Sequence, residues 1–126
     1  MKDLSNNIAT AVSIKSAVKS AAENGTGVDL QGYEGATAIV EVGAEGDTLS
    51  SSVYFEVSLE HSDDNSTFTD VAQADIVDGT ISSGGIFLKL DGTANGNPDT
   101  AGEIYRVGYR GGKRYIRVVL AKTGTH

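Results

Sequence analysis

Between Val53 and His61 the chain alternates: Val53, Phe55, Val57 and Leu59 fall on one side of an extended backbone, and Tyr54, Glu56, Ser58 and Glu60 on the other. A period of two sends successive side chains to opposite faces, leaving one face for a core and one for water. This is the pattern of a half-buried antiparallel strand. Runs rich in β-branched and aromatic residues at 36–42, 86–90, 104–110 and 114–122 read as further strands. In the last of them Tyr115, Arg117, Val119 and Ala121 oppose Ile116, Val118 and Leu120.

The intervening pieces at 43–47, 62–66, 78–79, 82–85 and 91–99 are built from Gly, Asn, Asp and Ser. Gly and Asn tolerate positive φ, and Asp, Ser and Asn bond their own backbone, so each marks a turn. Gly111-Gly112 between the last two strands predicts a tight hairpin over residues 103–122. Short strands at such spacing in 126 residues predict one all-β domain, an antiparallel β-sandwich of jelly-roll-like form over residues 25–126. Residues 1–24 form an N-terminal arm with two open readings. Ile8, Ala11, Val12, Ile14, Ala17, Val18, Ala21 and Ala22 suit a helical stripe, while Val12, Ile14 and Val18 also suit an extended arm.

Composition removes several chemistries. The chain has no Cys, so disulfides, thiolate metal sites and cysteine nucleophiles are excluded. The longest apolar run, Val118 to Ala121, is far short of the ~20 residues of a membrane-spanning helix. No apolar block of signal-peptide length stands near Met1, and the expected site of synthesis is the cytoplasm. His61 is the one internal histidine, it precedes a polar turn, and no Gly-x-Ser-x-Gly elbow accompanies it. A Ser-His-Asp triad and a zinc hydrolase site are therefore not expected. Asp63-x-Asn65-x-Thr67 imitates the opening of a calcium loop, but Phe68 and Ala74 stand where that loop needs Gly and Glu. The residues are better read as a hairpin turn, with Phe68 pointing inward on the returning strand. Glu56 and Glu60 share a strand face without aromatic platforms, which does not suit glycoside hydrolysis. Tyr105 and Tyr109 share one strand face and form the one candidate strip for sugar stacking, although such rings more often rim a core. No phosphate-cradling loop is present. No cofactor or metal is expected.

Charge is distributed unevenly. The net charge is −7, which disfavours nucleic acid as a partner. Residues 20–101 carry one base against fifteen acids, residues 102–126 six bases against Glu103, and residues 1–19 three bases against Asp3. Basic ends and an acidic middle suit packing of end against middle, within one chain or between copies. Arg106, Arg110, Lys113, Arg114 and Arg117 cluster about the final hairpin and are the candidate partner-binding residues. Their alternative role is a solvated edge that discourages sheet aggregation.

Three stretches carry a resemblance: Gly27-Val-Asp-Leu-Gln-Gly-Tyr-Glu-Gly-Ala-Thr-Ala-Ile-Val-Glu-Val-Gly43, then Leu59-Glu-His-Ser-Asp-Asp-Asn-Ser-Thr-Phe-Thr-Asp-Val71, then Val107-Gly-Tyr-Arg-Gly-Gly-Lys-Arg-Tyr-Ile-Arg-Val118. Together they resemble a family of small proteins from the structural gene clusters of tailed bacteriophages and prophages. The resemblance implies a non-enzymatic virion component, a head cement or decoration protein on the capsid surface. It further implies contacts with the major capsid protein and with sister subunits, a homo-oligomer with a trimer favoured, and neither nucleic acid nor membrane as partner. Two other roles are weighed beside it: a neck, tail or head-spike component, and a glycan-binding β-sandwich module using Tyr105, Tyr109 and the turn at 63–67.

Overall fold

A computed structural model describes residues 3–43, 46–92 and 103–126. Within them the chain is all-β and antiparallel, with a single short 3₁₀ turn at Gln73–Asp75. The strands are β1 (Glu23–Asn24), β2 (Val28–Asp29), β3 (Ala36–Val42), β4 (Tyr54–Ser62), β5 (Thr69–Asp70), β6 (Ile76–Val77), β7 (Ile86–Leu90), β8 (Glu103–Tyr109) and β9 (Tyr115–Thr123). The runs read at 36–42 and 86–90 match β3 and β7 at both ends, and the others match within a residue. The turn read at 91–99 lies, from residue 93 on, outside the described residues, as do residues 44 and 45 of the turn at 43–47.

The strands form a sandwich-like pair of sheets. In the larger, β4 and β9 pair along nine residues, from Tyr54 opposite Thr123 to Ser62 opposite Tyr115. β1 and β2 lie end to end on the far side of β9, and β5 and β7 end to end on the far side of β4. The smaller sheet has the order β3-β8-β6. Alternation dictates the inner layer: Phe55, Val57 and Leu59 of β4 and Ile116 and Leu120 of β9 are buried, as are Ala38 of β3 and Val107 and Tyr109 of β8. Two apolar clusters result, one around Leu59, Val71, Ile76, Val107 and Tyr109, the other around Phe55, Val57, Leu88, Leu90 and Leu120. Phe87 and Val118 pack against both and join them into one core.

Two local expectations are corrected. β8 and β9 do not form a hairpin: β8 pairs with β3 and β6, and β9 with β1, β2 and β4, so residues 110–114 cross from one sheet to the other. Tyr109 is the reason. Its ring enters the core at 2% exposure and the chain wraps around it: a β-carbon at Gly111 would stand 2.5 Å from the phenolic oxygen, which accepts the Lys113 N–H at 3.2 Å. The glycine serves close approach, and neither Gly111 nor Gly112 has the positive φ of a two-residue hairpin turn. Phe68 does not point into the core. It is half-buried on the outer face of the larger sheet, where the Arg117 guanidinium lies 4.1 Å over its ring.

The arm has no helix and no strand over residues 3–22. Its alanines offer a helix little apolar area to bury, whereas β9 offers backbone partners. Ser13 takes them: its carbonyl accepts the Thr26 N–H at 2.8 Å, its hydroxyl donates to the Thr26 carbonyl at 2.9 Å and accepts the Val118 N–H at 3.0 Å. Ile14 then packs on the second apolar cluster. The close approach requires Gly25, where a β-carbon would meet the Ser13 hydroxyl at 2.3 Å.

Candidate interaction surface

The five candidate cations are spread over both sheets and the crossing between them. Arg117 projects from the outer face of β9 beside Glu60, its direct neighbour on β4, which accepts from Nε at 2.7 Å and lies 2.6 Å from the second nitrogen. Arg114 grips Asp29 of β2 with two parallel bonds of 2.9 and 2.8 Å. That fork, with the Gln31 N–H at 2.9 Å, holds the Asp29 carboxyl at about 2. Lys113 pairs with Asp63 in the turn after β4, which raises the Lys113 ammonium. Arg110 is exposed and lies along residues 74–75, its backbone N–H donating to the Asp75 carbonyl at 2.8 Å and Nε to the Ala74 carbonyl at 3.4 Å. Arg106, on the outer face of β8, is the loosest, 3.5 Å from Asp78 and 72% exposed.

Four of the five thus meet a carboxylate of the acidic middle. The charge asymmetry of the sequence is partly answered within one chain, with basic C-terminal residues tied to acidic strands and turns. No local motif marks which carboxylate each cation meets, because the partners stand 28 to 85 residues apart.

The turn at 62–66 is a self-contained structure that links β4 to β5, which pair through Glu60 with Asp70 and His61 with Thr69. Ser62 Oγ accepts the Asp64 and Asn65 N–H groups at 3.2 and 3.0 Å and donates to Asp64 Oδ1 at 2.9 Å. That oxygen also accepts the Ser66 and Thr67 N–H groups at 2.9 and 2.8 Å, which lowers the Asp64 carboxyl below its usual range. Asn65 takes the positive φ of 59° that the turn needs. The carboxylate is occupied by backbone.

The tyrosine strip also faces inward. Tyr109 is buried, which raises its phenol, and Tyr105 packs on the second apolar cluster while its hydroxyl donates to Glu103, an interaction that pushes it up to about 12. Since the Tyr109 oxygen accepts the Lys113 N–H, its own proton is free to donate to His61 Nδ1 at 3.0 Å. His61 is thereby a structural partner of the core tyrosine, edge-on to its ring at 81°. A shallow open groove of about 390 Å³ lies between residues 30–35 and 111–114, with Tyr33, Glu34, Lys113 and Arg114 on its walls.

Large apolar side chains are exposed as well. Leu4, Ile8, Val12 and Val18 of the arm are 56%, 55%, 66% and 95% exposed, and Ile39, Ile104 and Val77 project from the outer face of the smaller sheet. Among the described residues no helix is long and apolar enough to cross a membrane. No family model, no curated protein and no solved structure matches the chain.

Proposed function

We propose that the chain is a non-enzymatic structural protein of a tailed-phage particle, a cement or decoration protein that sits on the capsid and grips the major capsid protein together with sister copies. The observation that carries this reading is the N-terminal arm. It is fastened to the body at Ser13 and Ile14, yet on either side of that clasp it exposes Leu4, Ile8, Val12 and Val18. A free chain gains nothing from holding four large apolar side chains in water, whereas a neighbouring surface that covered them would contribute roughly 1.5–3 kcal/mol for the nearly fully exposed Val18 and about half to two-thirds of that for each of the others. Contacts of modest strength repeated over a symmetric shell become long-lived, so such a protein needs reach and a firm body more than a deep cleft. The basic C-terminal cluster is a weaker candidate for the grip than its sequence suggests, because four of its five cations are tied to the chain's own carboxylates.

The test is a particle-binding assay. Purified particles are expected to carry the protein at a fixed ratio to the major capsid protein, and a chain lacking residues 1–11 should lose occupancy while its body melts at an unchanged temperature. A protein recovered only free of particles, or a truncated chain that binds them undiminished, would refute the reading.

A further inference from the structure

The sheet edges of this molecule are unequal. Along the larger sheet the outermost strands β1, β2, β5 and β7 present two, two, two and five residues, and in the smaller sheet β6 presents two. Short or interrupted edges resist pairing with another chain. β3 is different: it is an edge strand of seven residues, Ala-Thr-Ala-Ile-Val-Glu-Val, without proline, lysine or a shift in register. Alternate residues of an antiparallel edge strand turn both N–H and C=O away from their partner. Among the described residues, none of these outward groups of β3 has a hydrogen-bond partner.

The side chains of β3 complement a second copy of the same strand. Ile39 is the middle residue of the seven, and an identical strand laid antiparallel about it sets Ile39 opposite Ile39, Thr37 opposite Glu41 and Ala38 opposite Val40 of the second copy. No carboxylate then faces a carboxylate, as cross-strand pairing demands. The inward residues are all Ala or Val, small enough for the layer to continue. On the outer face Ile39, 67% exposed, stands beside Arg106 of β8 with Ile104 diagonal to it, so the two Ile39 side chains would cover each other at the centre of the joined sheet. We infer that two copies of the chain join edge to edge through β3 about a two-fold axis at Ile39, fusing two three-stranded sheets into one of six strands. Such a contact is self-complementary and closes at two copies, not three. It is independent of the capsid role.

The absence of cysteine gives a direct test of the register. In sedimentation equilibrium the isolated full-length chain should approach twice 13.0 kDa as concentration rises. Ile39→Lys, which opposes two ammonium groups at the axis, should return it to the single-chain mass with an unchanged circular-dichroism spectrum, since residue 39 is exposed. Under mild oxidation Ile39→Cys should form a covalent dimer, and Thr37→Cys, whose counterpart is residue 41, should form at least tenfold less. A native chain that stays at 13.0 kDa at high concentration, an assembly indifferent to Ile39→Lys, or a cross-link as efficient at residue 37 as at 39 would overturn the inference.

Discussion

At Gly85 the backbone adopts φ +68°, and a β-carbon there would stand 2.6 Å from the Leu59 carbonyl oxygen. The Gly85 carbonyl in turn accepts the Leu59 N–H at 2.9 Å, and the Leu59 carbonyl accepts the Val71 N–H at 3.0 Å, so three segments meet at one buried leucine. Gly32 shares the left-handed backbone, φ +89°, with open space around it. Alanine at either position should cost roughly 1–2 kcal/mol for the backbone conformation. At Gly85 displacing the carbonyl adds roughly 1–3 kcal/mol. Urea denaturation of the two variants should therefore rank Gly85→Ala well below Gly32→Ala. Tyr109→Phe keeps the ring and deletes the hydroxyl that serves Lys113 and His61; the same measurement should show a loss of about 1–3 kcal/mol at an unchanged dependence on denaturant. The sequence marks Tyr109 as a residue on a strand face. Its burial, and the wrapping of residues 111–113 about it, follow from which sheet that face meets.

β2, β4, β9 and the crossing from β8 are held together by ion pairs joining elements far apart in sequence. Arg114 to Asp29 fastens the start of β9 to β2, and Arg117 to Glu60 ties β9 to β4. Exposed pairs contribute little to stability in isolation, but the bidentate fork leaves a signature in acid. A carboxyl held at about 2 in the folded chain and near 3.8 when unfolded binds protons less readily when folded. Its stabilisation is therefore complete above about pH 4 and is lost as pH falls through that window towards 2. The midpoint of urea unfolding should drop over this range, and Asp29→Asn should flatten the drop without abolishing it, because the Asp64 carboxyl is also lowered. The same elements show where local pattern stops short. Period-two alternation and runs of β-branched and aromatic residues placed β3, β4, β7, β8 and β9, because both signals depend only on the strand's own residues. It could not say that β8 and β9 part company, since a strand's pattern is the same whichever partner pairs with it.

Across the whole molecule, the arm is bound by few groups, and the Ser13 hydroxyl makes two of its hydrogen bonds to the body. Ser13→Ala removes the acceptor of the Val118 N–H and a donor to the Thr26 carbonyl. The expected cost to global stability is about 1 kcal/mol, but the local consequence is larger, because two of the arm's few bonds to the body go, leaving the Ser13 carbonyl on the Thr26 N–H, the Ile14 packing and the Lys122 ammonium on the Ser20 carbonyl. Trypsin should cut after Lys15 and Lys19 markedly faster in this variant than in the native chain, as read by mass spectrometry of timed digests. Equal rates would place the fastening elsewhere, in Ile14 or in the Lys19 to Glu23 ion pair at 2.5 Å. Among the described residues, the arm's apolar side chains and the edge strand β3 stand open to other molecules.

Read by itself, the sequence determined the all-β class, the positions of the long strands, the turn at 62–66 and the lack of thiol chemistry, because alternation and turn-forming residues act over a few neighbours. Only the tertiary structure decided the rest: which strands share a sheet, that the Gly111-Gly112 segment crosses between sheets, that Phe68 lies outside under Arg117, and that the basic C-terminal cluster is answered by Asp29, Glu60, Asp63 and Asp78. Every residue other than proline brings the same N–H and C=O to a ladder, so backbone pairing is blind to side-chain identity. Its choice is made by the edges and faces that packing brings together, and Ser13 meets Val118 across 105 residues of chain for that reason.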